Sequence, residues 1–227
     1  MPFLILGLLI VILIFTPQIW VQRTMKKYGH HRPDLQGTGG ELAEHLVERF
    51  KLDGVVVRQG DEGADYYDPR EKVISLSPGH YSGQSITAVA VAAHEVGHAI
   101  QHKEKHSGFM LRQKRIQLAM AIERFSAMAL MVTPFLFLLT RVPQSTLITL
   151  VIGMLGMLVS FWVQIVNLPI ELDASFNKAL PILKEGYLPS HDMAGANKVL
   201  KVAAFTYAAG ALASFLNLGR WIAILRR

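Results

Sequence analysis

The sequence contains no cysteine, and charged residues are absent from long stretches of it. Without cysteine there can be no disulfide bonds and no thiolate metal ligands, so a metal would have to be bound by histidine or by carboxylates. Only 18% of the residues are charged, whereas 51% are hydrophobic, and the hydrophobic residues are concentrated in blocks. This composition is typical of a membrane protein that also carries a small polar region.

Four blocks are free of Asp, Glu, Lys and Arg: Met1–Gln22, Phe125–Thr140, Val142–Ile170 and Val202–Gly219. A helix needs about 20 apolar residues to cross a bilayer core of roughly 30 Å. The first and third blocks are long enough unaided, whereas the second and fourth must borrow flanking residues. The first block lacks a basic start and a small-residue cleavage site, which indicates an uncleaved anchor. We therefore expect four transmembrane helices.

The net charge of +6 does not require a nucleic-acid partner. Basic residues flank the apolar blocks, as in membrane proteins whose orientation is set by Lys and Arg. Aromatic residues do not alternate with them, as a nucleic-acid groove would require. Arg23, Lys26, Lys27 and Arg32 follow the first block. We expect a multi-pass protein in a lipid bilayer, with the region after this block in the cytoplasm and no nucleic acid bound.

Short elements are predicted between the first two blocks. Glu41–Phe50 has the apolar spacing of an amphipathic helix, and Gly54–Arg58 and Lys72–Leu76 indicate strands on either side of a turn-rich segment. The second strand is either an ordinary core strand or the sheet edge along which an extended substrate pairs. Ser85 is a suitable N-cap for an apolar helix that runs to about Lys103.

This helix carries the chemical motif H-E-x-x-H at residues 94–98. Two histidines four residues apart lie on one helix face, so His94 and His98 can bind the same metal ion. Zinc accepts two His nitrogens, a third protein ligand and a water molecule. Glu95 lies on the adjacent flank, where it can take a proton from that water. The motif predicts a Zn²⁺ peptidase site.

The third ligand has to come from elsewhere in the chain. A metzincin needs Gly and His where Gln101 and Glu104 stand, so that class is excluded. Glu171 follows the third block, and two membrane crossings return it to the side of His98. Asp173 is the alternative ligand, and the two carboxylates cannot face one metal because two residues rotate a helix by about 200°. The longer side chain favours Glu171.

Several motifs together resemble the YugP-type neutral zinc metallopeptidases. These are A-x-A-A-H-E-V-G-H-A-I-Q, the preceding Y-D-P-R, the following L-P-I-E-L-D-A-S and the later A-A-x-T-Y-x-A, from Tyr67 to about Ala209. The resemblance implies a membrane-bound zinc peptidase without a defined substrate. The chain is more distantly similar to HtpX-like membrane proteases, whose E-x-x-A-D motif implies Glu171 as zinc ligand. Ser175 stands where that motif has Asp, so Asp173 is the alternative residue for orienting a ligand histidine.

Three further residues are weaker candidates. His102 follows His98 by one turn, and is either a spare ligand, a proton relay or a solvated residue at the helix end. Tyr207 and His191 are candidates for the hydrogen bond to the oxyanion, although packing and surface positions are the simpler interpretations.

Together these patterns predict a mainly α-helical membrane protein with about four transmembrane helices and a small α+β zincin-like domain. The predicted parts are an anchor (1–22), a catalytic region (23–115), a transmembrane hairpin (116–168), a third-ligand helix and loop (169–201) and a last transmembrane helix (202–225). The predicted activity is the hydrolysis of peptides or membrane proteins. The alternative is a non-catalytic scaffold with a structural zinc, in which Glu95 would have no function. The sequence does not indicate an oligomeric state.

Overall fold

The computed structural model describes residues 2–206, with side chains described from residue 15 onward except at 143, 145, 146, 157 and 160. The described chain is mostly helical and contains a three-stranded mixed sheet. It forms two compact units. The first comprises the residues up to Gln18 together with Leu111–Leu168, and the second comprises Ile19–Met110 and Pro169–Thr206. The five functional parts assigned from the sequence stay a prediction.

The helices are α1 (Pro2–Tyr28), α2 (Gly39–Arg49), α3 (Pro78–Tyr81), α4 (Ile86–Lys103), α5 (Ser107–Thr140), α6 (Pro143–Leu172) and α7 (Leu180–Ile182), and the strands are β1 (Val56–Gln59), β2 (Tyr66–Asp68) and β3 (Val73–Leu76). After α6 the chain continues as a π-helical segment, Asp173–Ala179, here called the π-turn. A second π-helical segment, Leu183–Tyr187, follows α7, and residues 193–206 are again helical.

The sheet has the order β1-β3-β2, so β3 is its central strand. It pairs in parallel with β1 and antiparallel with β2, and all four of its residues are buried. The interpretation of Lys72–Leu76 as a free sheet edge is therefore wrong, because both of its edges are already hydrogen-bonded to neighbouring strands. It is the core strand of the unit.

Helix α4 is buried on every side from Ile86 to Gln101, as its apolar sequence predicts. The predicted N-cap is confirmed, because the Ser85 side chain accepts a hydrogen bond from the backbone N–H of Ala88 at 3.0 Å. Helix α2 packs against α4 and begins two residues before the predicted start. The second unit therefore has α4 at its centre, enclosed by α2, the sheet and the π-turn.

Two stretches of the described chain, Ser107–Thr140 and Leu147–Tyr187, are long and apolar enough to cross a membrane. Large apolar side chains on them are highly exposed, including Phe125 (62%), Leu139 (84%) and Trp162 (65%), which suits contact with lipid better than contact with water. The expected four spans are not all supported. The predicted anchor forms part of α1, and most of the predicted span 202–225 lies outside the described residues.

Candidate metal centre

Helix α4 brings the two motif histidines together in the interior of the second unit. His94 and His98 are exposed by only 5% and 2%, and their ring centroids lie 4.7 Å apart. Four residues correspond to just over one helical turn, so both rings project from the same face. Burying two imidazoles among alanine and valine side chains costs several kcal/mol unless their nitrogens are bound.

Glu171, at the end of α6, is completely buried against this pair. Its Oε2 atom lies 3.3 Å from His94 Nε2 and 3.2 Å from His98 Nε2. Ligand atoms of the three residues all lie within 4.8 Å of one another. Asp173 points elsewhere, and its carboxylate accepts hydrogen bonds from Gln101 and Asn177. The structure thus brings Glu171, and not Asp173, to the histidines.

A glycine inside the motif allows the third carboxylate to come this close. A Cβ atom at Gly97 would lie 2.8 Å from the backbone oxygen of Ala174 and 3.3 Å from Lys178 Cβ. Only a residue without a side chain lets the π-turn lie directly on α4 at this point. Because Ala174 follows Glu171 by three residues, the same approach sets the distance between that carboxylate and the two histidines.

Ser175 fixes the orientation of His94. The Ser175 hydroxyl donates to the backbone oxygen of Leu200 at 3.1 Å, so its oxygen is left to accept from His94 Nδ1, 3.0 Å away. The nitrogen that faces Glu171, Nε2, then carries no proton in a neutral ring. Ser175 therefore contacts a ligand histidine directly, although it replaces the Asp of the distantly similar HtpX-like motif.

Gln101 fixes the orientation of His98 in the same way. Its Nε2 donates to Ile170 O at 2.9 Å and to Asp173 Oδ2 at 2.7 Å, and its Oε1 lies 2.9 Å from His98 Nδ1. The proton of His98 is thereby assigned to Nδ1, and Asp173 reaches this histidine only through Gln101. Sequence reasoning missed this role, although a Gln three residues after a ligand histidine lies on a neighbouring face of the helix.

With both rings neutral, this hydrogen-bond network turns the unprotonated Nε2 atoms of His94 and His98 toward one carboxylate oxygen of Glu171. A metal ion bound by all three residues would compensate the cost of burying them together. Zinc with tetrahedral ligands at 2.0–2.1 Å would hold them about 3.3 Å apart, close to the 3.2 and 3.3 Å between Glu171 and the two rings. The donor set of two histidines and one glutamate therefore fits zinc and leaves a coordination position open for water.

Glu95 lies between the two histidines in sequence and is buried, but it does not belong to the group of possible metal ligands. It is 7% exposed, and no group in the described part of the chain forms a hydrogen bond or ion pair with its carboxylate. Residues 94 and 95 are separated by about 100° on the helix, so its side chain leaves α4 beside the histidine face.

An aromatic wall closes the site beyond His98. Phe109 stacks on His98 with ring centroids 5.7 Å apart, and it also contacts Tyr67 and His102. The Tyr67 hydroxyl lies 2.7 Å from His102 Nδ1. Burial, with a smaller effect of Asp68, raises the pKa of Tyr67 to about 12, and burial followed by Lys72 lowers the pKa of His102. At neutral pH Tyr67 therefore donates to a neutral His102, which is half-buried and lies outside the group of possible metal ligands.

Of the two oxyanion candidates, only His191 belongs to the described residues. The His191 side chain is 73% exposed and lies 3.4 Å from Asp192. Tyr207 lies outside the described residues.

Comparison with known proteins agrees with this geometry. A sequence profile of the family described as "Putative neutral zinc metallopeptidase" matches residues 3–226. The chain is 34% identical, over 225 residues, to "Putative membrane protease YugP" of Bacillus subtilis (strain 168), covering 99% of this chain and 96% of that protein. No solved structure matches the chain. A match over nearly the whole sequence establishes membership: the chain belongs to this family of neutral zinc metallopeptidases.

Proposed function

We propose that this protein is a membrane-associated zinc endopeptidase in which His94, His98 and Glu171 bind the metal and Glu95 acts as the general base. The observation that supports the proposal best is the convergence of His94 Nε2 and His98 Nε2 on one oxygen of the fully buried Glu171 carboxylate, 3.3 and 3.2 Å away. Ligand atoms of these three residues lie within 4.8 Å of one another, as a common metal ion requires.

Each residue of the site has a separate role in the proposed reaction. Zinc held by His94, His98 and Glu171 would supply Lewis-acid polarisation of the scissile carbonyl and would lower the pKa of the attacking water. The Glu95 carboxylate takes up the proton of that water and delivers it to the departing amide nitrogen. Ser175 and Gln101 keep the Nδ1 protons of the histidines in place, so that both Nε2 atoms remain available as ligands. Phe109, 4% exposed, excludes water from the far side of the His98 ring.

The alternative is a non-catalytic scaffold with a structural zinc. A structural site does not need a carboxylate beside its ligands, and such sites are usually closed by a fourth protein ligand. Here the described residues supply three ligands together with a nearby carboxylate that no other group holds. This arrangement favours catalysis.

The substrate that fits the surroundings of the site is a peptide or a segment of a membrane protein close to the bilayer. Glu171 lies within Leu147–Tyr187, one of the two stretches apolar enough to cross a membrane. Lys26 and Lys27, in the last turn of α1, favour a cytoplasmic position for the residues that follow.

Replacing Glu95 by glutamine tests the catalytic proposal. The amide has nearly the same shape and is not a ligand, so the purified Glu95→Gln protein should still bind about one zinc per chain. Peptidase activity should fall by a factor of about 10² or more, the usual effect of losing a general base. The readouts are elemental analysis and cleavage of casein and of a membrane-spanning peptide in vesicles.

A matched control is Glu48→Gln, the same chemical change at an exposed position of α2. It should retain both zinc and activity. If Glu95→Gln cleaved either substrate at the unmodified rate, Glu95 would not be the base. If it lost activity together with its zinc, the loss would reflect a damaged metal site.

A further inference from the structure

Gln101 is a fully buried polar side chain near the candidate metal centre that takes no part in the proposed proton transfer. It is 0% exposed, and its amide forms three hydrogen bonds. Two of them leave its own helix and reach residues on either side of Glu171. Burying an amide completely is favourable only when its donors and its acceptor are all used.

The partners determine which way this amide points. A backbone carbonyl oxygen and a carboxylate only accept hydrogen bonds, so Ile170 O and Asp173 Oδ2 both require the NH₂ group of Gln101. The amide oxygen is then directed at His98 Nδ1. Turning the amide over would place its oxygen against two acceptors, which would break both of these bonds.

We propose that Gln101 is a positioning residue that fixes His98 and Glu171 relative to each other. Its hydrogen bonds connect His98, the residue immediately before Glu171 and the acid two residues after it. One side chain therefore fixes both the rotation of the His98 ring and the placement of the Glu171 segment along α4. This inference rests on the proposed function, since it concerns the same metal site.

No simpler side chain at this position can replace the amide. Leucine or methionine would fill the space but remove the hydrogen bonds to the Ile170 carbonyl, to Asp173 Oδ2 and to His98 Nδ1. Glutamate would place a second carboxylate against that of Asp173 and would remove both donors. Of these residues, only glutamine offers two donors and one acceptor in this arrangement.

The test measures binding of zinc alone, by competition with a chelator, in the full-length Glu95→Gln protein, so that no activity is needed. Gln101→Met should weaken zinc binding by about 10- to 100-fold, the usual effect of losing a partner of a ligand histidine. It should also shift the absorption bands of the cobalt-substituted protein, because the ligands are no longer held in one arrangement. Asp173→Asn should bind zinc within about threefold of the parent, because it keeps an acceptor for Gln101, whereas Asp173→Ala should bind distinctly more weakly.

Thr87→Val is the matched control for a loss of stability alone. Thr87 is a buried residue of α4 whose hydroxyl donates to the backbone oxygen of Met25. Removing this bond should lower the melting temperature of the metal-free protein but leave zinc affinity and the cobalt spectrum unchanged. The inference would be overturned if Gln101→Met bound zinc as tightly as the Glu95→Gln protein in which it is made. It would also be overturned if Asp173→Asn bound zinc as weakly as Asp173→Ala. A parent protein that binds no zinc would instead reject the proposed function itself.

Discussion

Replacing Gly97 by alanine perturbs the metal centre through packing alone, because the residue carries no chemical group of its own. The added Cβ atom would lie 2.8 Å from Ala174 O, whereas ordinary van der Waals contact begins at 3.4 Å, so a gap of 3.4 − 2.8 = 0.6 Å must open. The obstacle is backbone and cannot rotate away. The π-turn, which follows Glu171 directly, has to move.

Two opposing free energies set the size of the effect. Alanine favours a helix over glycine by about 1 kcal/mol, while overpacking a close contact costs about 1–3 kcal/mol. The net change in the free energy of unfolding should therefore be a loss of about 0–2 kcal/mol. The metal site should be affected more than this. Metal–ligand distances tolerate only about 0.2 Å, so we expect zinc affinity to fall by tenfold or more.

The assay combines thermal unfolding of the metal-free protein with chelator competition for zinc. Gly79→Ala is the control, because a Cβ atom at this position of α3 would meet no atom within 4 Å. It should leave zinc affinity unchanged. The contrary result is a Gly97→Ala protein that binds zinc as tightly as the unmodified protein and melts at the same or a higher temperature. That result would refute the argument that the contact of Gly97 with Ala174 sets the distance between Glu171 and the two histidines.

Three further predictions concern the ligand, pH and orientation. Glu171→Gln should lose zinc in elemental analysis whereas Asp173→Asn should retain it; the opposite pattern would exchange the two roles. Burial raises the pKa of Asp65, but hydrogen bonds from His80 and from the Ser77 backbone outweigh it, so the pKa in the folded protein lies below 3.8. The resulting stability is present above pH 3.8 and is lost as pH falls through the folded pKa, so melting temperatures of Asp65→Asn should decline less steeply below pH 4 than those of the unmodified protein. A reporter active only in the cytoplasm should give signal when fused after Lys105; silence there, with signal from a fusion at Gln144, would invert the topology.

The features that the sequence predicts well are those determined by neighbouring residues. The N-cap at Ser85 and the helix that carries the two histidines follow from local hydrogen-bonding preferences and from the apolar run. The approach of Glu171 to this helix could be anticipated because the two crossings predicted between them would return the chain to one side of the membrane. The sequence does not decide between Glu171 and Asp173 as the third ligand, because helical rotation excludes only that both bind the same metal ion.

The features that the sequence does not predict depend on contacts between distant residues. Strand β2 is three residues long and lies within a turn-rich segment, so only its pairing with β3 reveals it. Helical structure also continues through Pro181 as far as Gly186, because the proline lies in the first turn of α7, where the π-turn ends. The role of Gln101 likewise depends on a backbone oxygen 69 residues away.

The order in which the ribosome makes the chain has a consequence for the metal centre. His98 and Glu171 are 73 residues apart, and the Leu200 carbonyl that holds Ser175 comes later still. Bringing such distant segments together requires both to be synthesised and the intervening chain to be closed into a loop. A nascent chain that ends before Glu171 carries the H-E-x-x-H helix without a third ligand. Under the proposed function, peptide hydrolysis would therefore be withheld during biosynthesis until Glu171, inside the second stretch apolar enough to cross a membrane, had been made.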